Sequence, residues 1–200
     1  MKPADLPTTT ELLDGLHEPG NQSAWDEFDR RYRPILFAFL RRMGVNEIDA
    51  DDVAQETLVS FVRDYRANKY DRHRGRLRTW LMGIARCRLA DFRRAAGRCR
   101  AWRGGSAIEQ LPDDDEAETI WDEEQRRLIF EQAFHELRQT ARFRERTLEA
   151  FDRVMLRHEP IELVSSQLGL TPQEIYNAKN RVVARLREIA GRYEASYLGD

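Results

Sequence analysis

Residues 161–189 read IELVSSQLGLTPQEIYNAKNRVVARLREI, and this stretch decides the fold class. Ile161, Val164 and Leu168 recur at three- and four-residue steps, so they share one face of a short helix. Gly169 then supplies a turn. Thr171, Pro172 and Glu174 carry the start of a second helix: a capping hydroxyl, a residue whose missing N–H costs nothing in the first turn, and an acid that reaches back to the cap. Beyond them Ile175, Ala178, Val182, Leu186 and Ile189 keep helical spacing, which leaves Gln173, Tyr176, Asn177, Asn180, Arg181 and Arg185 facing out. Two helices about a tight turn make a helix-turn-helix, and amide and guanidinium groups near the start of its second helix can pair with base edges in a major groove.

Upstream, the segment from Arg63 to Arg103 holds fourteen Lys and Arg against Asp64, Asp71 and Asp91, although the whole chain carries a net charge of −2. Tyr65, Tyr70, Trp80, Phe92 and Trp102 are interleaved with the cations. Such a block can neutralise phosphates and offer flat rings to unstacked bases, while a charge run is also the ordinary solvated face of a helix. Charge then inverts: Glu109, Asp113, Asp114, Asp115, Glu116, Glu118, Asp122, Glu123 and Glu124 follow with no Lys or Arg among them. The distribution of charge, not its sum, informs about partners.

The remaining chain reads as helices. Residues 1–22 carry Pro3, Pro7, Pro19 and three consecutive Thr, so a loose arm with a turn or two of helix is expected. From Ser23, a plausible cap, Trp25, Phe28, Tyr32, Ile35, Leu36, Phe39, Leu40 and Met43 form an apolar stripe that stops at Gly44, with Pro34 expected to kink or split it. A second helix is expected from Asp49, burying Val53, Leu58, Phe61, Val62 and Tyr65, and its outer face gathers Asp51, Asp52, Gln55 and Glu56. Asn68 to Arg78 reads as a basic loop, and Thr79 caps a helix with Leu81, Ile84, Ala85, Leu89 and Phe92 inward and Arg86, Arg93 and Arg94 outward. Trp80, in the first turn of that stripe, reads as a core anchor. Gly97 to Pro112 reads as a break. The expected architecture is all-α: an arm (1–22), a helical domain (23–97), a flexible acidic linker (98–120) and a second helical domain (121–195) containing the helix-turn-helix.

Several classes are disfavoured. No run approaches the length of a membrane span and the N-terminal residues lack the order of a signal peptide, so a cytoplasmic location with no membrane partner is expected. Cys87 and Cys99 form neither a disulfide framework nor a zinc motif, and His17, His73, His135 and His158 are dispersed. Asp49, Asp51, Asp52 and Glu56 could be taken for a nuclease metal cluster, but no His accompanies them and acids at a helix start have an electrostatic explanation. No catalytic constellation, metal or cofactor is expected.

Three stretches together resemble the extracytoplasmic-function group of the sigma-70 family of RNA polymerase sigma factors: DADDVAQETLVSFVRDY (49–65), TWLMGIARCRLADFRR (79–94) and ELVSSQLGLTPQEIYNAKNRVVARLR (162–187). The resemblance implies that Asp49, Asp51, Asp52, Gln55 and Glu56 dock on the coiled coil of the largest subunit of core RNA polymerase. It implies that Asn68, Tyr70, Arg72, His73, Arg74, Arg76, Arg78, Arg86, Arg93 and Arg94 engage the minus-10 promoter element, where a flipped base is captured. Thr171, Gln173, Tyr176, Asn177, Asn180, Arg181 and Arg185 would read the minus-35 element, and their domain would touch the polymerase flap. The acidic linker would thread toward the active-site and RNA-exit channels. Relatives are commonly held silent by an anti-sigma factor, which adds such a protein to the implied partners. The chain departs from the family pattern at Cys87, where Asn is usual, and at Ala178 and Val183, where basic residues are frequent. The competing expectation is a stand-alone helix-turn-helix regulator, which usually binds a palindrome as a dimer; one such motif and no sustained heptad disfavour it.

Overall fold

The computed structural model describes residues 9–18, 20–71, 75–101, 114–140 and 143–197. Among these residues there are eight α-helices, one π-helical turn and no strand, so the chain is all-α. No helix among them is long and apolar enough to cross a membrane. The helices pack as two units, Met1–Leu128 with Ser196–Asp200, and Ile129–Ala195.

The first unit contains α1 (Thr9–His17), α2 (Gln22–Arg42), α3 (Glu47–Arg66), α4 (Leu77–Ala101) and the first half of α5 (Asp114–Thr140). Its core is the stripe foreseen on α2, where Phe28, Tyr32, Ile35, Leu36, Phe39 and Leu40 are fully buried, joined by Leu58 and Phe61 from α3 and Leu77, Leu81, Ala85 and Leu89 from α4. Phe28 stacks on Phe61 at 4.9 Å. Pro34 does not split α2. Its missing N–H forfeits one backbone bond at a cost of about 3 kcal/mol, whereas six buried side chains in helical register on either side each contribute about 1.5–3 kcal/mol.

Helix ends differ from the expected ones by local capping chemistry. The Asn21 side chain, not that of Ser23, accepts the Ala24 N–H at 3.1 Å. The Asn46 side chain accepts the Asp49 N–H at 3.0 Å, so α3 begins before Asp49. α4 begins at Leu77, which puts Thr79 in its first turn, and it runs through Gly97 to Ala101. Helix therefore occupies both ends of the expected 98–120 linker, at 98–101 and 114–120, and residues 102–113 lie outside the described ones.

The arm is also more ordered than its prolines suggest, since α1 buries Thr9, Leu12, Leu13 and Leu16. Helix α1 passes so close to α2 that a Cβ on Gly15 would lie 2.9 Å from the Ala24 Cβ. Trp121, fully buried, meets Phe39 edge-on at 6.0 Å. The packing division consequently falls after Leu128, where the sequence pattern puts it at residue 121.

The second unit contains the rest of α5, α6 (Glu145–Phe151), a π-turn (Asp152–Leu156), α7 (Ile161–Leu168) and α8 (Pro172–Ser196) up to Ala195. One cluster joins Ala133, Leu137, Phe151, Val182, Leu186 and Ile189. Another joins Ala150, Val164 and Ile175. Gly169 ends α7 with φ of 61°, a left-handed conformation that costs any residue with a Cβ about 1–2 kcal/mol. This turn lets the Leu170 N–H reach the Ser165 carbonyl at 3.2 Å and brings α8 back across α7.

Candidate functional site

The outer face of α3 borders a groove of about 490 Å³ lined by Asp52, Gln55, Glu56, Val59, Ser60 and Arg63, with Arg88 closing it from α4. Asp52, Glu56, Val59 and Arg63 follow one another at helical spacing, so they form one stripe along the helix. Val59 is 53 % exposed in the middle of this stripe, an apolar spot ringed by charge. Three of the five residues assigned to polymerase docking therefore lie together. The other two have local employment. Asp49 closes the cap with the Asn46 amide. Asp51 accepts a fork from Arg33, Nε at 3.1 Å and Nη2 at 2.8 Å, and these hydrogen bonds hold the Arg33 guanidinium above its ordinary pKa against the opposing effect of burial. Val59, Ser60, Arg63 and Arg88 were not singled out from the sequence as groove residues. The stripe spacing from Asp52 points to Val59 and Arg63; nothing local points to Arg88.

The loop after α3 is organised by rings. Asn68 is exposed and left-handed, with φ of 55°. The Tyr70 ring stacks on Trp80 at 4.9 Å and 15°, and its hydroxyl donates to the Gly75 carbonyl at 3.2 Å. Trp80 is half-buried rather than a core residue: it meets Phe61 edge-on at 5.3 Å and forms one face of a two-ring stack. Arg72, His73 and Arg74 lie outside the described residues. Arg76 is exposed at the start of α4. Arg78 pairs with Asp122 and stands 3.9 Å from Glu118, both on α5. The Arg93 guanidinium donates to the Met43 carbonyl at 2.6 Å, Arg94 pairs with Asp91 at 2.8 Å, and Arg86 is half-buried. The basic helix thus spends part of its charge on internal contacts.

On α8 the expected cap is present in full. The Glu174 carboxylate accepts the Thr171 N–H at 2.8 Å and the Thr171 hydroxyl at 2.9 Å, and the Glu174 N–H returns a bond to that hydroxyl at 3.2 Å. The bond from the Thr171 N–H holds the Glu174 carboxyl below its ordinary range. Gln173 donates to the Asn177 side chain at 3.2 Å, and Tyr176 and Asn180 are exposed along the same side. Arg181 reaches back to the Asn177 carbonyl at 3.4 Å, while Arg185 pairs with Glu188 at 2.5 Å. The arrangement is an exposed row of polar side chains fixed at a rigid helix start. Ala178, one of the departures, is 3 % exposed and serves the core. Among the described residues no group of three or more His, Cys, Asp or Glu is placed to hold a metal ion.

Residues 28–99 match the family model for sigma-70 region 2, which spans α2 from Phe28 through α3 and nearly all of α4. The ECF RNA polymerase sigma factor SigE of Mycolicibacterium smegmatis is 30 % identical over 63 residues, 32 % of this chain and 24 % of that protein. The match thus covers about a quarter of that relative's length.

Proposed function

We propose that this chain belongs to the extracytoplasmic-function group of the sigma-70 family and is a sigma factor that binds core RNA polymerase, recognises minus-10 and minus-35 promoter elements, and helps melt DNA to start transcription. The observation that carries this reading is the α3 groove. It presents Asp52, Gln55 and Glu56 around an exposed Val59, within the residues that match region 2. An acidic rim about an apolar spot suits a basic helical partner, such as one arm of the polymerase coiled coil. Residues 23–97 act as region 2, residues 121–195 as region 4, and the intervening 98–120 as the linker.

The Tyr70–Trp80 stack supports the base-capturing role of the loop. Extruding a base costs a few kcal/mol, and ring stacking returns about 1–3 kcal/mol per base. Asn68 and Arg76 stand close in sequence to Tyr70 and Trp80, and with Arg72, His73, Arg74 and Arg86 they make up the proposed minus-10 surface. In α8, Gln173, Tyr176, Asn177, Asn180 and Arg181 form the proposed minus-35 surface of a helix-turn-helix, with Arg185 at its margin.

The test is co-migration with core RNA polymerase. Wild type is expected to bind, and Asp52→Arg or Glu56→Arg to weaken binding by about tenfold, about 1.4 kcal/mol, through like-charge repulsion. Absence of binding by wild type would overturn the proposal. Binding of a duplex promoter site without polymerase would favour the stand-alone regulator instead.

A further inference from the structure

Helix α1 lies outside the residues that match the family model, and its last residue, His17, is exposed. The His17 ring meets the Tyr65 ring of α3 at 4.3 Å between centroids and an angle of 41°. Tyr65 is buried and stands 6.1 Å from Tyr70, whose ring stacks on Trp80. Two ring-to-ring steps therefore join His17 to the stack to which base capture is assigned. At about 3.4 Å per stacked nucleotide, the two steps cover no more than about three nucleotides of a single strand. Beside His17, the Arg66 Nε donates to the Leu16 carbonyl at 2.8 Å, so the last turn of α1 is tied to the end of α3. Neither His17 nor Arg66 is among the residues assigned above to the minus-10 surface.

An exposed arginine alone signals nothing, since most arginines are exposed. What distinguishes Arg66 is where it stands and what it leaves unused. Among the described residues no carboxylate pairs with it, and the bond to Leu16 engages only its Nε. Asp64, the acid nearest to it in sequence, accepts from Lys69 at 2.9 Å and from Arg63 at 3.4 Å, and these bonds hold its carboxyl below the ordinary range. Glu18, next to His17, accepts from the Asn21 amide at 3.3 Å. Arg78, Arg93 and Arg94, by contrast, commit their guanidinium groups to Asp122, the Met43 carbonyl and Asp91. A guanidinium presents its donors in a planar fork that matches phosphate oxygens, and an imidazole in either protonation state keeps at least one N–H to donate. Bases and phosphates alternate along a strand, so a strand with one base on the Tyr70 and Trp80 rings carries neighbouring phosphates within reach of this pair.

We propose that His17 and Arg66 form a phosphodiester-binding site that continues the single-strand path from the Tyr70–Trp80 stack onto α1. The inference rests on the reading of that stack as the element that takes an unpaired base.

The test measures binding of the full chain to an oligothymidylate of about twelve nucleotides, a length within the usual single-strand site sizes, over a salt series. Wild type is compared with Arg66→Gln, Arg66→Lys, His17→Ala and Tyr70→Ala. Arg66→Gln is expected to bind about threefold more weakly at low salt, with the slope of log K against log salt reduced by about 0.7, the share of one phosphate on a single strand. Arg66→Lys is expected to keep the wild-type slope although the Nε bond to Leu16 is lost, and a role confined to holding α1 would not give that result. His17→Ala is expected to weaken binding about twofold. Wild-type affinity in Arg66→Gln or in His17→Ala overturns the site, as does an Arg66→Lys loss equal to that of Arg66→Gln. Tyr70→Ala separates this inference from the reading on which it rests. If Tyr70→Ala weakens binding and Arg66→Gln does not, the site on α1 falls while the base-capturing stack stands. If wild type binds no probe, or Tyr70→Ala binds it as wild type does, the stack reading falls and the site falls with it.

Discussion

Glu174 serves the start of α8 by accepting from both the N–H and the hydroxyl of Thr171. Its carboxyl is held below the ordinary value of 4.5, so the folded helix start favours the ionised form. Ionisation then contributes to stability above that ordinary value, and the contribution is lost as pH falls through the lowered one. Protection of the Thr171 and Glu174 amides, taken relative to the intrinsic exchange rate at each pH, is accordingly expected to fall in mild acid in wild type and to show no such step in Glu174→Gln. A step of equal size in the variant would place its origin elsewhere. This cap was legible in the sequence because its partners stand three residues apart, within the span a local pattern can fix. The fork from Arg33 onto Asp51 joins residues eighteen apart on two helices, and no spacing rule announces it. So the outer face of α3 was read correctly as acidic, but its division into groove residues and tied residues was not. Trp80 shows the same limit, since periodicity put it in the core while the structure leaves it half-buried in a stack with Tyr70 that depends on how the loop returns.

Helices in this chain are longer than their breakers suggest. Pro34 lies inside α2, and Gly97 inside α4. Periodicity correctly located the apolar stripes, because burial of a whole face outweighs one lost backbone bond or one flexible residue. It erred where propensity was asked to set boundaries, and there Asn21 and Asn46 decided the matter by capping. Since α2 is continuous, Pro34→Ala restores a donor toward the Arg30 carbonyl. It is expected to stabilise the first unit by about 1–3 kcal/mol, seen as a higher urea midpoint by circular dichroism. A lower midpoint would mean that the proline ring is needed where it packs. Helices α7 and α8 were legible almost to the residue, because Gly169, Thr171, Pro172 and Glu174 combine turn, cap and start signals within six positions.

Segregated charge along the chain becomes pairing in the folded first unit. Acids at the start of α5 meet Arg42 and Arg78: Glu123 reaches Arg42 at 2.8 Å, Glu124 reaches it at 3.3 Å, and Asp122 holds Arg78. The sequence reading gave residues up to 120 to a linker, because an acidic run carries no mark of where it will dock. Trp121 is what anchors it. Asp122→Asn with Glu118→Gln frees Arg78, and affinity for a single-stranded minus-10 oligonucleotide is expected to rise about twofold to threefold at low salt. The gain should vanish as salt approaches about 1 M, where screening acts within about 3 Å. Equal affinities at every salt concentration would remove Arg78 from the minus-10 surface. The contacts of Thr9 and Arg31 with Ser196 were beyond any sequence pattern, since they join residues 187 and 165 positions apart. They have a consequence for biosynthesis. A chain made from its N-terminus leaves the ribosome with Arg31 already beside Glu27, while the contacts of Thr9 and Arg31 with the Ser196 carbonyl form only after residue 196 has emerged. Packing of Ser196 and Tyr197 against the first unit therefore follows translation of the second unit, and a chain cut before Ser196 lacks these contacts.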